Sequence, residues 1–360
     1  MSASRITRIH AWAVTTRVRG VFRIALGEQR EAKSIYVLVE LGDGTRGWGE
    51  GAPAPSITGE HPEASLEAVK LVAGRLIGLE PLRDYASVRR LLDKLLRGYP
   101  AARAALESAL LDAVSRSIGA PLCTLLNGCG VVSRETSITI SLDEPSVMAG
   151  RAREAVSRGF RRLKVKLGGP PSLDYERVRA VREAVGEGVE IIVDVNQGWG
   201  YHDALRLVQL LHELGVVMVE QPLPARDLEA LAELSKRSPV PIAVDESVMS
   251  EEDVVRLYSL GFRGVVNVKV SRVGGPERAA RLLELAERLG LGTMVGCMLE
   301  TSLGVAHALH ASSATSLDFT DLDAPLLLEE DPADCVEYRG PLVSARVSRG
   351  VGCEPRTEPV

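Results

Sequence analysis

Charged side chains recur at nearly regular intervals through the last two thirds of this chain, and each follows a short apolar segment. In order they are Lys166, Asp194, Glu220, Asp245, Lys269, Glu300 and Asp321. The first five steps between them span 24 to 31 residues, which is about the length of one strand–helix–strand unit. A parallel sheet built from such units would gather these side chains at the carboxyl ends of its strands. Randomly placed surface charges would not share one phase of the repeat.

Lysine is rare in this chain and is used at particular places. Only seven of the 43 basic residues are lysine, and three of them, Lys164, Lys166 and Lys269, lie in two apolar segments typical of buried strands. Arginine stays protonated in proteins, whereas a buried lysine can shift its pKa and carry a proton. The alternative is that these are strand-end lysines whose ammonium groups reach water. Because all three share the same surroundings, we favour amines that titrate.

Three carboxylates end consecutive apolar segments: Asp194 after IIV, Glu220 after VVMV and Asp245 after PIAV. Carboxylates that converge in a protein interior repel one another unless a cation neutralises them. All-oxygen ligation suits a hard divalent cation, so the trio predicts a metal site, with magnesium first and manganese second. For any one of these acids alone, a helix cap or a salt bridge would be the better explanation.

The elements that must position these residues alternate regularly from about residue 136 onwards. Eight apolar segments are predicted as strands: 137–142, 162–167, 189–194, 216–220, 241–245, 264–268, 292–296 and 316–320. The intervening segments have helical periodicity, and several end in glycine. Eight strands that alternate with helices over this length favour a closed parallel barrel over an open sheet.

The segments on either side of the barrel differ from it. Residues 34–40 and 47–50, separated by a glycine-rich turn, predict an antiparallel meander. Helices are predicted near 63–76 and 101–118. The tail after about residue 325 contains no further strand–helix unit, and we expect it to fold back onto the N-terminal region. We therefore divide the chain into residues 1–126, a barrel of residues 127–325 and a C-terminal segment of residues 326–360.

The positions of the lysines in such a barrel suggest how they could act on a substrate. Lys164 and Lys166 are two residues apart on the second strand and point to the same side, while Lys269 lies on the sixth strand, diametrically opposite. The predicted metal strands lie between them. A substrate carboxylate on the metal would have its α-carbon between two lysines, which suits removal of an α-proton from one face and its return from the other. Each lysine would need a pKa lowered toward neutrality by the metal, by a second ammonium and by desolvation.

Composition excludes several other classes of protein. The net charge is −5 and the arginines are scattered, so we expect no nucleic-acid partner. Apolar segments are too short to cross a membrane, and Met1 to His10 lack the apolar core of a signal peptide. The five cysteines show no CxxC spacing. We therefore expect neither a disulfide framework nor a zinc site, and we expect a cytoplasmic protein.

The chain resembles the muconate-lactonizing subgroup of the enolase superfamily. The resemblance rests on KVK from Lys164, DVNQGW from Asp194, EQP from Glu220, DES from Asp245, NVKVSRVGG from Asn267, and on GWGE, TGE and ALESALLDAVSRSIGAPLCTLLNG nearer the N-terminus. It covers nearly the whole chain. It implies a (β/α)₇β TIM-like barrel with an N-terminal α+β capping domain that the C-terminal tail completes.

Within this subgroup the chain is similar to the dipeptide epimerases, through CMLETSLG from Cys297 and through Asp321 and Asp323 followed by Ala-Pro-Leu. The resemblance implies that the two aspartates bind the substrate ammonium, for which a helix cap or loop salt bridge is the alternative. The family's Ala-Glu epimerases carry an arginine in a cap loop where this chain has Gly27. Phe22, Arg23 and Gly27 are candidate specificity residues there, and we expect an uncharged, hydrophobic second substrate residue.

The sequence thus predicts a magnesium-dependent dipeptide epimerase that forms a homo-oligomer. Lys166 and Lys269 would be the acid/base pair, and Lys164 would support the enediolate oxygen and lower the pKa of Lys166. The alternatives are an o-succinylbenzoate synthase, an N-acylamino acid racemase or a muconate cycloisomerase, none of which has to hold an ammonium. A Schiff-base aldolase would not need three carboxylates, and a non-catalytic barrel would not need the whole set of charged residues.

Overall fold

A three-stranded antiparallel sheet begins the computed structural model, which describes residues 4–357. Its strands, in spatial order, are β1 (Ile6–Ile24), β2 (Gly27–Leu41) and β3 (Arg46–Gly51). Strands β2 and β3 form the predicted meander. The sequence pattern misses β1, because most of its residues are polar or partly exposed and no long apolar segment marks it. Residues 1–3 and 358–360, the outer ends of the predicted first and last regions, lie outside the described residues.

Four helices cover one face of this sheet. They are α1 (Pro55–Thr58), α2 (Pro62–Leu76), α3 (Pro81–Leu95) and α4 (Pro100–Ser117). The glycines of the GWGEG segment explain the close contact between β3 and α4: a Cβ at Gly49 would lie 2.1 Å from the carbonyl oxygen of Ala105. The sheet and helices therefore enclose a core of their own, centred on aliphatic residues of β2 and α4.

Eight parallel strands form the predicted barrel, in consecutive spatial order. They are β5 (Ile138–Ile140), β6 (Arg162–Lys166), β7 (Glu190–Asp194), β8 (Val216–Glu220), β9 (Ile242–Val244), β10 (Val265–Lys269), β11 (Gly292–Gly296) and β12 (Phe319–Asp321). The helices between and after them are α5 (Pro145–Ser157), α6 (Pro171–Val185), α7 (Tyr201–Glu213), α8 (Leu228–Arg237), α9 (Glu251–Ser259), the short α10 (Val270–Val273), α11 (Pro276–Arg288), α12 (Ser302–Ala311) and the short α13 (Ala324–Leu327). The amide of Ser137 donates to the carbonyl of Thr320 at 2.9 Å and joins the first strand to the last.

The C-terminal segment contacts both other parts of the chain. Its strand β13 (Val336–Arg339) pairs with β14 (Leu342–Ala345), and β14 pairs with β4 (Ser133–Glu135), which precedes the barrel. Further along, the amide of Val351 donates to Asp112 of α4 at 2.6 Å. The tail therefore fastens the barrel to the helical layer of the N-terminal region.

Two disulfides correct the prediction from cysteine spacing. Cys123 is bonded to Cys129, and Cys335 to Cys353, while Cys297 is a free, buried thiol. The partners are 6 and 18 residues apart, so neither bond follows a recognisable short motif. Among the described residues, no helix is long and apolar enough to cross a membrane.

Candidate active site

A cavity of about 440 Å³ lies at the carboxyl ends of the barrel strands, beneath the N-terminal region. The barrel contributes Lys164, Lys166, Lys269, Cys297, Asp321 and Asp323 to its wall, and the N-terminal region contributes Phe22, Ile24 and Ile57 among others. Residues that the sequence singled out at the ends of four different barrel strands are thus brought to one enclosed space. Its remaining wall is mainly apolar, which favours binding of a small organic molecule.

Lys164 is the most tightly enclosed of the three lysines. Its Nζ lies 2.7 Å from Asp321 Oδ2, 2.9 Å from Glu220 Oε2 and 3.1 Å from Asp194 Oδ2. Burial alone would lower the pKa of Lys164, but the charges of these carboxylates outweigh it and raise the pKa well above its ordinary value. Three anions face the ammonium of Lys164 in this arrangement and favour its charged form.

Lys166 and Lys269 approach the cavity from opposite sides of the barrel. Lys166 Nζ lies 2.6 Å from Asp194 Oδ2 and 5.8 Å from the centre of the Phe22 ring. Lys269 Nζ lies 2.9 Å from Asp245 Oδ2. Both side chains are more than nine-tenths buried. Two amines on opposed strands that line one cavity can reach opposite faces of a bound molecule.

The predicted metal ligands lie at adjacent strand ends, where the register pairs Asp194 with Glu220, and Asp245 directly follows β9. All three are fully buried. They pair with cationic side chains: Asp194 and Glu220 with lysines, and Asp245 with Lys269 and Arg272.

The residues present fit a hard divalent cation by the chemistry of their donors, which are all carboxylate oxygens. Buried oxygen atoms without a hydrogen-bond partner, Glu246 Oε2 and Asn267 Oδ1, lie in the same layer. Among residues 4–357, however, no group of three or more His, Cys, Asp or Glu residues has an arrangement that would hold a metal ion. Metal binding would require the lysine ammoniums to move away from the carboxylates.

Asp321 and Asp323 both line the cavity, at its side next to β5. Asp321 Oδ1 accepts a hydrogen bond from Ser137 Oγ at 2.9 Å, and Asp323 Oδ2 accepts one from the Thr139 amide at 2.6 Å. Asp323 precedes α13 without capping it. Burial and the charge of Asp321 raise the pKa of Asp323 to about 7. The pair gives this end of the cavity a negative charge that a cationic group would neutralise.

The hairpin formed by the end of β1 and the start of β2 carries the predicted specificity residues, and only one of them borders the cavity. Phe22 lines the cavity, but Arg23 does not: its guanidinium lies 3.1 Å from Glu28 and 3.1 Å from Asp143. Gly27, with φ +140°, is also outside the cavity wall. The prediction that Arg23 and Gly27 border the substrate therefore differs from their position in the structure.

Several residues that the sequence analysis did not select also line the cavity. They include Ile24, Ile57, Thr139, Asn196, Met298, Leu299 and Leu327, and the polar residues Glu31, Lys33, His61 and Glu63 of the N-terminal region. Asn196, Met298 and Leu299 stand inside motifs that carried the family resemblance, so their positions could have been found there. The others lie in segments whose packing the sequence does not reveal. Cys297 is buried, and burial raises the pKa of its thiol well above the ordinary value.

Sequence comparison assigns the family. The family described as mandelate racemase / muconate lactonizing enzyme, N-terminal domain, matches residues 6–127, and the enolase C-terminal domain-like family matches residues 147–358. The chain belongs to the muconate-lactonizing branch of the enolase superfamily. The resemblance seen in the motifs and the predicted barrel fold are both confirmed.

Similar proteins of known activity include epimerases and racemases. A hydrophobic dipeptide epimerase from Enterococcus faecalis is 36% identical over 332 residues, covering 91% of this chain and 93% of that protein. An L-Ala-D/L-Glu epimerase from Bacillus subtilis is 31% identical over 353 residues, covering 97% and 96%. The structure of an Enterococcus faecalis dipeptide epimerase complexed with Mg and L-Leu-L-Tyr has a TM-score of 0.93 at 35% identity, covering 97% of this chain and 99% of that one. The predicted enzyme class, an isomerase, is confirmed.

Proposed function

We propose that this protein is a magnesium-dependent dipeptide epimerase that inverts the α-carbon of the C-terminal residue. The observation that carries the proposal is one cavity bordered by two opposed lysines, Lys166 and Lys269, with a pair of aspartates, Asp321 and Asp323, at its side. Dipeptide epimerases among the similar proteins support it.

The two lysines would transfer protons on opposite faces of the substrate. In one direction the free amine of Lys166 takes the α-proton and becomes an ammonium, while the ammonium of Lys269 gives a proton to the other face and becomes a free amine. The reverse reaction exchanges these roles. Lys164, whose ammonium stays charged, would stabilise the negative oxygen that forms when the α-proton leaves.

Asp194, Glu220 and Asp245 are the residues that would hold the magnesium ion, with manganese as the second choice. A divalent ion at that place supplies Lewis-acid stabilisation of negative charge on the substrate carboxylate. In the structure Asp194 and Asp245 hold the ammoniums of Lys166 and Lys269. Carboxylates that held a cation instead would leave these two lysines available to the substrate.

Asp321 and Asp323 would bind the ammonium of the substrate's first residue. An ammonium between them would replace solvation that both carboxylates lose on burial. A substrate without that charge would leave Asp323 uncompensated, while Asp321 would keep its contact with Lys164 Nζ at 2.7 Å. This requirement separates a dipeptide epimerase from the alternative within the family, an N-acylamino acid racemase.

The racemase alternative is supported by a similar protein and by a similar solved structure. An N-succinyl-L-Arg/Lys racemase from Bacillus cereus is 30% identical over 353 residues, covering 97% of this chain and 95% of that protein. Its substrate is acylated at the amino group, so a single assay distinguishes the two activities.

The test is α-proton exchange in deuterated water, followed by NMR on a panel of dipeptides and their N-acetylated counterparts. We expect free dipeptides to exchange and invert, acetylated ones to react at least tenfold more slowly, a loss of about 1.4 kcal/mol, and EDTA to abolish activity until magnesium is added. Equal turnover of free and acetylated substrates would replace the proposal with an N-acylamino acid racemase. Full activity in metal-free enzyme would refute the magnesium site.

A further inference from the structure

A fully buried aspartate lies behind the loop that follows Lys166. Asp174, in the first turn of α6, has no exposed surface. Its four donors are the amides of Gly168 and Gly169 at 3.0 and 3.2 Å, Trp199 Nε1 at 2.8 Å and Arg177 NH1 at 2.8 Å. The two glycine amides are two and three residues beyond Lys166. The backbone that leaves the lysine is therefore held by a single carboxylate.

The same loop is packed closely on its other sides. Gly168 has φ +109°, and a Cβ there would lie 2.4 Å from Ala25 Cβ and 2.7 Å from the carbonyl oxygen of Val195. The backbone at Gly168 therefore packs tightly between Ala25 of the N-terminal region and Val195, which follows the next barrel strand. Asp174 supplies the polar contacts that keep it there.

A different group of residues holds the segment after Lys269. Ser271 Oγ donates to Glu300 Oε2 at 2.8 Å and accepts from the amide of Ala52 at 3.2 Å. Ser271 is two residues beyond Lys269, and both Ser271 and Glu300 are buried. Ala52 directly follows β3, so this support joins the N-terminal region to the barrel. It shares no residue with the support around Asp174.

We propose that Asp174 and Ser271 are positioning residues, each for one lysine: Asp174 for Lys166 and Ser271 for Lys269. Neither residue lines the cavity, so each acts through the backbone that carries its lysine. The inference rests on the proposed two-lysine epimerase function. A displacement of about 1 Å at a reacting group lowers rates on the order of a hundredfold, so loss of one support should disable one face of the reaction.

The experiment measures α-deuteration without inversion, starting separately from each epimer of one reactive dipeptide. Lys166→Ala and Lys269→Ala first establish which epimer each lysine serves. The test variants are Asp174→Asn and Ser271→Ala. The matched control is Asp253→Asn, because Asp253 occupies the first turn of α9 and accepts from the Met249 amide at 3.0 Å and Ser250 Oγ at 2.9 Å, in a loop without either lysine.

Asp174→Asn should lower exchange about tenfold or more for the epimer that Lys166 serves and leave the other within about twofold. Ser271→Ala should produce the opposite pattern. Asp253→Asn should leave the ratio of the exchange rates of the two epimers unchanged. Equal losses in both epimers from a folded variant would overturn the inference. If Asp174→Asn does not fold, as judged by circular dichroism, the smaller Ser271→Ala change decides alone. A wild-type enzyme that exchanges neither epimer of any dipeptide would overturn the proposed function, and the inference with it.

Discussion

The three lysines differ in what surrounds them, and the difference separates a fixed charge from a proton carrier. Lys164 contacts three carboxylates, whose charges raise its pKa well above the ordinary value. Lys166 and Lys269 each contact one carboxylate, Asp194 and Asp245 respectively. The two lysines with one anionic partner each are also the two that line the cavity from opposed strands. This supports the assignment of proton transfer to Lys166 and Lys269.

Replacing either of those lysines by arginine tests proton transfer without removing the positive charge. Lys166→Arg and Lys269→Arg keep a cation beside the carboxylate, but a guanidinium does not deprotonate in a protein. We expect kcat/KM for epimerisation to fall at least a hundredfold, the lower range for loss of a general acid/base. The melting temperature should fall less than in the alanine variants, which leave a buried carboxylate with less compensation. Epimerisation near the wild-type rate in either arginine variant would refute the pair.

Substrate preference provides a second prediction at this scale. Phe22 and Ile24 line the cavity, whereas Arg23 is held outside by Glu28 and Asp143. We expect kcat/KM for Ala-Leu or Ala-Phe to exceed that for Ala-Glu by at least tenfold, because no arginine of this loop meets a carboxylate side chain. Asp143→Asn, which weakens the hold on Arg23, should reduce this preference. A clear wild-type preference for Ala-Glu would contradict the hydrophobic assignment.

Among the secondary-structure elements, the helix after the seventh barrel strand buries two titratable side chains. Helix α12 contains His307 and His310, both fully buried. Burial lowers the pKa of each to about 4. In the unfolded chain a histidine binds a proton near pH 6.5. Between about pH 6.5 and 4, these histidines are therefore protonated in the unfolded chain but neutral in the folded protein.

The contribution of these histidines to the free energy of unfolding should therefore decrease as pH falls from about 6.5 toward 4. Each histidine contributes on the order of a few kcal/mol, at about 1.4 kcal/mol per pKa unit. His307→Gln and His310→Gln should each remove one histidine's share of this decrease, measured as the difference from wild type in urea unfolding between pH 7 and 4. Burial raises the pKa of Asp112 to about 6, of Asp323 to about 7 and of Glu300 to about 8. These carboxyl groups contribute with the opposite sign, so the comparison is between variants at each pH. A difference from wild type that does not change with pH in either variant would contradict the prediction.

Strand positions were largely predictable from the sequence, and strand ends less so. The second barrel strand was predicted at 162–167 and spans Arg162–Lys166, whereas the last was predicted at 316–320 and spans Phe319–Asp321. An apolar segment indicates a buried strand. The first and last residues of the strand depend on which of its backbone groups form hydrogen bonds with the neighbouring strand. Strand β1 has no such segment, because one of its faces is partly exposed. Helix α3 was missed because charged residues dominate it.

For the whole molecule, the sequence predicted which residues share the site but not how the N-terminal region closes it. The lysines and carboxylates follow one repeat, so barrel geometry alone brings them together. Phe22 and Leu327 both line the cavity although about 300 residues separate them, and no local pattern relates such residues. The ionic contacts of Arg23 depend in the same way on the position of the loop after β5.

The two disulfides bear on the predicted cytoplasmic location, which stays a prediction. Disulfides are rare in the cytosol of most organisms, but intracellular proteins of hyperthermophiles contain them. The bond from Cys335 to Cys353 encloses the strands β13 and β14 that fasten the tail. The amide of Cys335 donates a hydrogen bond to Ser302 Oγ, at the start of α12, at 2.7 Å. Loss of the disulfide would loosen the contact between the tail and the barrel.

The last prediction concerns this tail disulfide. The double variant Cys335→Ser, Cys353→Ser should lose about 3 kcal/mol of unfolding free energy, and the variant of the shorter Cys123–Cys129 bond about 2 kcal/mol, because the longer loop restricts the unfolded chain more. Protein purified without reductant and then denatured should show one reactive thiol, from Cys297, and five after reduction. Five thiols before reduction would show that neither bond forms. Epimerisation at 25 °C should persist in both variants, since none of these four cysteines lines the cavity; an inactive but folded tail variant would instead make the tail part of the catalytic machinery.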